Sequence, residues 1–286
     1  MFQTTKKIIV NLLDRLGYRL VSHEHFSPVD VRKLGNNPKE LGYYSSGMNN
    51  ILIDVEFSSG RGLDVYTLCD KSIHPFILAV RSALVSDDYK KAIRDSLSNY
   101  YGLVQPRSAA EWLGFEFGEV VALDKEPPWS VLLPWQNRSV DLNRKMRQDC
   151  AFYDNREHGL KADIIEGWRD FGPVSKNVLD IEVSRLHSLM LSIKKFGIQR
   201  HNKIGGDIGV TVLINDENEF RWLVFNGGQH RAAVISAMGY KKVAVRVNQL
   251  VERKDVLFWP NVQSGVYSKE TALKIFDRIF YGYNTN

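Results

Sequence analysis

The chain has 286 residues, of which 44% are hydrophobic and 25% are charged. This composition is that of a folded protein, and the length allows one large domain or two of medium size. No apolar run reaches the ~20 residues of a membrane-spanning helix, and the first residues do not have the pattern of a signal peptide. The two cysteines, Cys69 and Cys150, are too far apart to indicate a disulfide framework or a zinc site. We therefore expect a cytoplasmic protein without a membrane span or a resident metal site.

The charge balance limits the class of partner. The net charge is +5 over the whole chain, and it is not concentrated in a stripe of the kind that dedicated nucleic-acid-binding proteins carry. The charge therefore disfavours nucleic acid as the main partner without excluding it.

The first 125 residues alternate between helix and strand patterns. Helices are indicated by the apolar spacing from Ile8 to Leu16, by residues 75–101 with a break at Ser86 and Asp87, and by the capping serine Ser108. Strands are indicated at Gly17–Val21, Asn50–Phe57 and Asp64–Cys69, with the last two paired across a turn. We predict an N-terminal α+β domain over residues 1–125, whose role the sequence does not reveal.

A connecting segment is predicted over residues 126–150. Three prolines and two tryptophans lie between Leu123 and Trp135, a composition that no regular helix tolerates. The composition indicates either a linker or an ordered loop that packs on the protein. The basic residues that follow, Arg138, Arg144, Lys145 and Arg147, are typical of a solvated helix face.

Residues 151–286 carry the most regular pattern. Val183, Leu186 and Met190 share one face of a helix that we expect to be capped by Asp180 and ended by Gly197. Three strands are then predicted, at Val210–Asp216, Phe220–Phe225 and Val243–Val247. Two further helices are predicted, one of small residues that ends at Gly239 and a last one at Ser268–Phe280. The expected fold class is α+β, with a mixed α/β C-terminal domain.

The turn before the small-residue helix has the chemistry of an anion site. Gly227 and Gly228 leave the backbone unobstructed, and the free N–H groups of the first helical turn point outward. His230 and Arg231 add donors where the helix dipole favours negative charge. A Gly pair before a helix is also often just a tight turn, with a satisfied histidine and a surface arginine beside it.

The order of these elements resembles the ParB/sulfiredoxin superfamily. The segment FNGGQHRAAVISAMGYKKVAVRV is similar to the sulfiredoxin strand, GG-Cys-HR turn and helix, and RLHSLMLSIKKFGI is similar to the superfamily's preceding helix. The resemblance covers roughly residues 179–247. It implies a nucleotide-binding C-terminal domain at residues 151–286. In it Gly227, Gly228, His230 and Arg231 would contact phosphates, with Arg185 as a second cationic contact.

The sequence departs from both named members of the superfamily. Gln229 occupies the position of sulfiredoxin's catalytic cysteine, and an amide cannot act as that nucleophile, so we expect Gln229 to hydrogen-bond the nucleotide instead. The chain also lacks the doubled arginine of ParB and has too few residues after Val247 for its DNA-binding domain. Other members are kinases, which add a carboxylate base to the phosphate turn.

Three carboxylates are candidates for that base. Asp154 and Glu157 belong to the segment DNREHG, where acid, cation and imidazole lie close together and where we expect irregular backbone. Glu157 is the first choice, Asp154 the second, and Glu182, beside the start of the predicted helix, the third. Charged loop residues are usually solvated, which is the competing interpretation of this segment.

The sequence thus predicts an ATP-dependent kinase, or one that uses another nucleotide, with Mg²⁺ as cofactor. Its acceptor would be a hydroxyl of a small molecule or saccharide; a loose resemblance to bacterial proteins of polysaccharide biosynthesis favours a saccharide. The alternatives are a DNA-binding or nuclease protein of the ParB-like fold, and a non-catalytic nucleotide-binding regulator.

Overall fold

The computed structural model describes residues 28–44, 50–157, 163–200, 207–225 and 227–282. The helix predicted from Ile8 and the strand predicted at Gly17–Val21 lie outside these ranges. The described helices are α1 (Leu41–Tyr44), α2 (Pro75–Leu84), α3 (Tyr89–Leu103), α4 (Ala109–Trp112), α5 (Val121–Asp124), α6 (Val140–Glu157), α7 (Lys176–Phe196), α8 (Gln229–Ala237), α9 (Pro260–Gln263) and α10 (Lys269–Tyr281). The strands are β1 (Val29–Asp30), β2 (Ile51–Glu56), β3 (Gly60–Gly62), β4 (Tyr66–Thr67), β5 (Ile208–Ile214), β6 (Phe220–Val224) and β7 (Lys242–Glu252).

The seven described strands form one mixed sheet in the order β1-β2-β7-β5-β6-β3-β4. The pairs β1–β2, β5–β7 and β3–β6 are parallel, and the others are antiparallel. Helix α8 packs against α2 and α7 and contacts β3 and β5. The α+β class predicted from the sequence is confirmed.

The sheet runs through both parts into which the sequence divides the chain. Strand β2, from residues 1–125, pairs along its whole length with β7, from residues 151–286. Buried side chains from both parts, among them Ile53, Phe76, Val212 and Trp222, belong to one hydrophobic cluster. Residues 126–150 therefore connect elements of a single sheet and core. The assignment of a role to each part stays a prediction.

Several predicted boundaries shift by local hydrogen bonding. The break between α2 and α3 is observed, but Asp88 caps α3 rather than Asp87. Helix α7 begins one turn earlier than expected, because the hydroxyl of Ser175 accepts from the N–H of Val178, so the predicted cap Asp180 lies inside the helix. The predicted strand Asp64–Cys69 is wrong in extent and in partner: only Tyr66–Thr67 is a strand, and it pairs with β3.

The Pro/Trp-rich segment is an ordered loop packed on the core. Trp135 is buried against Trp259 and Phe276, with ring centroids 5.5 and 6.0 Å away. The hydroxyl of Tyr267 donates to the carbonyl of Leu132 at 2.6 Å. These contacts join the segment to the C-terminal helices, so its tryptophans are structural anchors.

Among the described helices, none is both long enough and apolar enough to cross a membrane. The two cysteines are both free thiols.

Candidate functional site

The glycine turn between β6 and α8 is open to solvent on one side and tightly packed on the other. Gly227 and Gly228 have φ angles of +111° and +100°. A Cβ on Gly227 would meet no atom within 4 Å, whereas one on Gly228 would lie 2.9 Å from the Cα of Ile208 in β5. Gly228 is the N-cap of α8 and, having no side chain, makes no cap hydrogen bond to the first helical turn. The turn therefore leaves N–H donors for an external acceptor, as an anion site requires.

This turn lines a cleft with a volume of about 600 Å³. A volume of that size is typical of a pocket for a small molecule or cofactor. Helix α6, the segment before α7, α7 itself and the β3–β4 turn form the other walls. The charged side chains that they contribute are Arg147, Arg169, Arg185, Asp64, Asp154 and Asp170.

His230 is fixed by a buried carboxylate and a flat aromatic ring. Its Nε2 contacts Oε2 of Glu182, and its ring stacks on Phe76 with centroids 4.8 Å apart and an interplanar angle of 11°. Arg185 donates to the other oxygen of Glu182 at 2.7 Å. Glu182 is 1% exposed, so it positions two side chains of the cleft, Arg185 and His230, and is not placed to deprotonate an acceptor. Its role as third-choice base does not fit this geometry.

The charge state of Glu182 follows from these neighbours. Burial by itself would raise the pKa of Glu182, but His230, Arg185 and Arg169 outweigh it and lower the pKa to about 2. The carboxylate is therefore ionised at neutral pH. His74, packed behind the site, has its pKa lowered to about 3 by burial and by the charge of His230, so it is neutral.

Asp154 lies between two arginines. Its Oδ2 pairs with Nη1 of Arg169 and is 3.9 Å from Nη1 of Arg185. Its side chain is 39% exposed and faces the cleft. Asp154 is thus brought to the glycine turn, as the sequence predicted, but as a member of an ion-pair network at the end of helix α6 rather than in an irregular loop.

The other predicted residues divide into two groups. Gln229 and Arg185 line the cleft together with the glycines and His230. Arg231 is partly buried and is not among the described residues that line the cleft, so its assignment as a phosphate contact lacks support in the geometry. Glu157 is the last residue of α6, and its side chain lies outside what the structure describes, as do residues 158 and 159 of the same segment.

Gln229 holds a strained turn in place. Its Oε1 accepts from the N–H of Leu63 at 3.1 Å and its Nε2 donates to the carbonyl of Val224 at 3.2 Å. Leu63 and Asp64 both have positive φ, +44° and +66°, a conformation that non-glycine residues rarely adopt and that clusters at functional sites. Both polar atoms of the Gln229 amide thus form hydrogen bonds within the protein and keep Asp64 in the cleft, while a contact of Gln229 with a nucleotide or with the acceptor stays a prediction.

Sequence reasoning missed several cleft residues. Asp64 accepts from Nε1 of Trp112 at 3.3 Å. Asp170 accepts from Nε1 of Trp168 at 2.9 Å, and burial, together with the nearby charge of Asp64, raises its pKa. Arg147 and Arg169 each stack 5.8 Å from the Trp168 ring. In the sequence, the adjacent charges of Arg169 and Asp170 after Trp168 could have indicated these residues, because ionic side chains beside an aromatic that becomes buried need partners.

The fit of the glycine turn predicts a difference between two alanine variants. Gly227→Ala and Gly228→Ala both impose backbone strain, but only the second also forces a Cβ against Ile208. Overpacking costs about 1–3 kcal/mol, so we expect Gly228→Ala to be less stable than Gly227→Ala by about that amount in urea unfolding. Equal stabilities would contradict the close contact between the turn and β5.

Replacement of Glu182 by Gln predicts a pH-dependent loss of stability. The variant leaves Arg185 and His230 without their carboxylate, so we expect a free energy of unfolding lower by about 3 kcal/mol at neutral pH. The pKa of Glu182 is about 2 in the fold against 4.5 in an unperturbed chain. Its stabilisation is therefore present above about pH 4.5 and lost as the pH falls toward 2. Urea unfolding should show the gap between wild type and variant narrowing over that range; a constant gap would count against the ionised carboxylate.

The chain was compared with known proteins in three ways. No family model matches it, no curated protein matches it, and no solved structure matches it. The resemblance to the ParB/sulfiredoxin superfamily therefore stays a prediction from the sequence, and the function has to be argued from the site itself.

Proposed function

We propose that the protein is a nucleotide-dependent phosphotransferase that transfers a phosphoryl group to a hydroxyl of a small molecule or saccharide. The observation that carries the proposal is the open Gly227–Gly228 turn at the start of α8, which faces a cleft large enough for a nucleotide. The phosphates of ATP, or of another nucleotide, would lie against this turn.

The electrostatics of the turn support a polyanionic ligand. The N-terminal end of a helix carries a partial positive charge, and its first N–H groups can donate to phosphate oxygens. Arg185 lies in the same cleft with its guanidinium held by Glu182. Phosphoryl transfer depends mainly on positioning and on charge stabilisation, and a fixed arginine beside a helix start supplies both.

Asp64 is the carboxylate best placed to receive the proton of the acceptor hydroxyl. Asp154 pairs with Arg169, and Oδ1 of Asp170 lies 3.6 Å from Nε of Arg169, so both are neutralised by a cation. Asp64 lines the cleft, and its Oδ2 accepts a hydrogen bond from the neutral indole N–H of Trp112. It follows directly the residue that Gln229 binds, which keeps it beside the phosphate turn. A base in hydrogen-bond reach of the hydroxyl contributes about 10²–10⁴-fold to such a rate.

The carboxylates of the cleft determine whether Mg²⁺ can bind there together with a nucleotide. The described residues contain no group of three or more His, Cys, Asp or Glu side chains that could hold a metal ion. Mg²⁺ that accompanies a nucleotide needs only one or two carboxylates, because phosphates and water supply the other ligands. Asp154, a partly exposed carboxylate of the cleft, could provide one of them, and the bound ion would neutralise charge on the phosphates.

A charge placed at the mouth of the turn tests the phosphate position. Gly227→Asp puts a carboxylate where the phosphates would lie, so we expect the Kd for ATP with Mg²⁺ in calorimetry to rise at least about tenfold. Gly239→Asp is the matched control, since Gly239 also has positive φ and open space but lies at the other end of α8; its Kd should stay within about twofold of wild type. Equal Kd values for the two variants would contradict the assignment of the phosphates to the glycine turn. The same titrations with CTP and GTP show which nucleotide the cleft prefers.

Substitution of Asp64 tests the base. Asn is isosteric with Asp and tolerates positive φ, so Asp64→Asn should keep the turn and the nucleotide affinity. Turnover, measured as nucleoside diphosphate release with a panel of polyols and saccharides, should fall about 100-fold or more. Asp70→Asn, at an exposed residue paired with Lys241, is the control.

The same assay separates the other interpretations. Asp154→Asn and Glu157→Gln test the carboxylates predicted from the sequence. If one of these variants loses turnover while Asp64→Asn stays fully active, the residue changed in that variant is the base instead of Asp64. Nucleotide binding without turnover by the wild type would instead identify a non-catalytic regulator. Tight, salt-dependent binding of duplex DNA without nucleotide affinity would identify the DNA-binding alternative.

A further inference from the structure

Arg147 is a cation of the cleft that forms no short-range ion pair with a carboxylate among the described residues, although Asp170 lies near enough for the charge of Arg147 to act on its pKa. It lies on α6 and lines the cleft. Its Nε is buried and has no hydrogen-bond partner within the part of the chain that the structure describes, as is also true of Nε of Arg169. Arg169 and Arg185, by contrast, are each paired with a carboxylate at short range. Because an arginine nitrogen withdrawn from water costs free energy unless it is hydrogen-bonded, Arg147 is a donor that an external acceptor would satisfy.

Trp168 holds the Arg147 side chain in a defined position. The guanidinium carbon of Arg147 is 5.8 Å from the ring centroid of Trp168. The indole is itself buried, and its Nε1 donates to Asp170 at 2.9 Å. Stacking on a fixed ring leaves the edge of the guanidinium available and reduces the side-chain freedom lost when it binds a planar anion.

A second unneutralised cation lies close by. Arg138 donates from Nη1 to Sδ of Met146 at 3.0 Å, and Met146 lines the cleft. Burial lowers the pKa of Arg138, and the positive charge of Arg147 lowers it further. Arg138 lines a neighbouring cavity rather than this cleft, but its positive charge adds to the field that an anion beside Arg147 would meet.

The α6 wall is separate from the glycine turn. The phosphate site uses the start of α8 with Arg185 and His230, whereas Arg147 and Trp168 belong to α6 and to the segment before α7. The cleft thus has two groups of donors, of which one is assigned to the nucleotide. The remaining group is placed for the second substrate.

The geometry points to an acidic acceptor: we propose that Arg147, stacked on Trp168, binds a carboxylate or phosphate group of the hydroxylated molecule that receives the phosphoryl group. This inference rests on the proposed phosphotransferase function. It restricts the acceptor from any polyol or saccharide to an acidic one, such as a sugar acid or a sugar phosphate.

Anion binding to the nucleotide-saturated protein tests the inference. Calorimetric titrations with inorganic phosphate, glucuronate and neutral glucose are made on the wild type in saturating non-hydrolysable ATP analogue with Mg²⁺. We expect phosphate or glucuronate to bind and glucose not to bind; the anion that binds more tightly identifies the acid group. Arg147→Gln should weaken that binding at least about tenfold, as expected for a lost charge-assisted hydrogen bond.

Lys145→Gln is the matched control, because it removes the same charge from an exposed position of the same helix. It should leave anion binding within about twofold of wild type. Arg147→Gln should bind the ATP analogue as the wild type does.

Three results would overturn the inference. They are the absence of anion binding to the saturated wild type, equal binding by the Arg147→Gln and Lys145→Gln variants, and a loss of nucleotide affinity in Arg147→Gln as large as in Gly227→Asp. The last would place Arg147 in the nucleotide site. If the wild type binds no nucleotide, the proposed function fails by itself. In that case the titrations on the nucleotide-free protein still decide whether Arg147 binds an anion.

Discussion

The buried carboxylate of Glu182 is the interaction on which the site depends. It lies on α7 and binds His230 of α8 and Arg185 of its own helix. An ionised carboxylate at 1% exposure is tolerated because both of its oxygens contact nitrogen donors. It also joins α7 to α8 and holds Arg185 and His230 at one cleft. A buried carboxylate thus positions donors that line the cleft.

A second constraint joins the N-terminal strands to the same cleft. Gln229 spans from the end of β6 to the turn after β3 and holds Leu63 and Asp64 in a conformation that costs free energy. Gln229 thus acts on the backbone of a turn from the N-terminal part of the chain. One side chain at the start of α8 thereby couples the glycine turn to the position of Asp64.

Features that depend on neighbouring residues could be predicted from the sequence. Gly197 ends α7 at φ +68°, Ser268 caps α10, and the Gly227–Gly228 turn precedes a helix as expected. Features that depend on residues far apart in the chain could not. The strained turn at Leu63 and Asp64 is held by a hydrogen bond from the N–H of Leu63 to Gln229, 166 residues away. The order of the sheet likewise follows from pairing between strands that are far apart in the chain, such as β2 and β7. No local pattern of apolar or polar residues encodes such contacts.

A crystal structure with a non-hydrolysable ATP analogue and Mg²⁺ tests the central claim most directly. The account predicts phosphate oxygens within hydrogen-bond distance of the backbone N–H groups in the first turn of α8, with Arg185 at their side. A nucleotide bound elsewhere on the protein, or one whose phosphates lie away from the glycine turn, would contradict it.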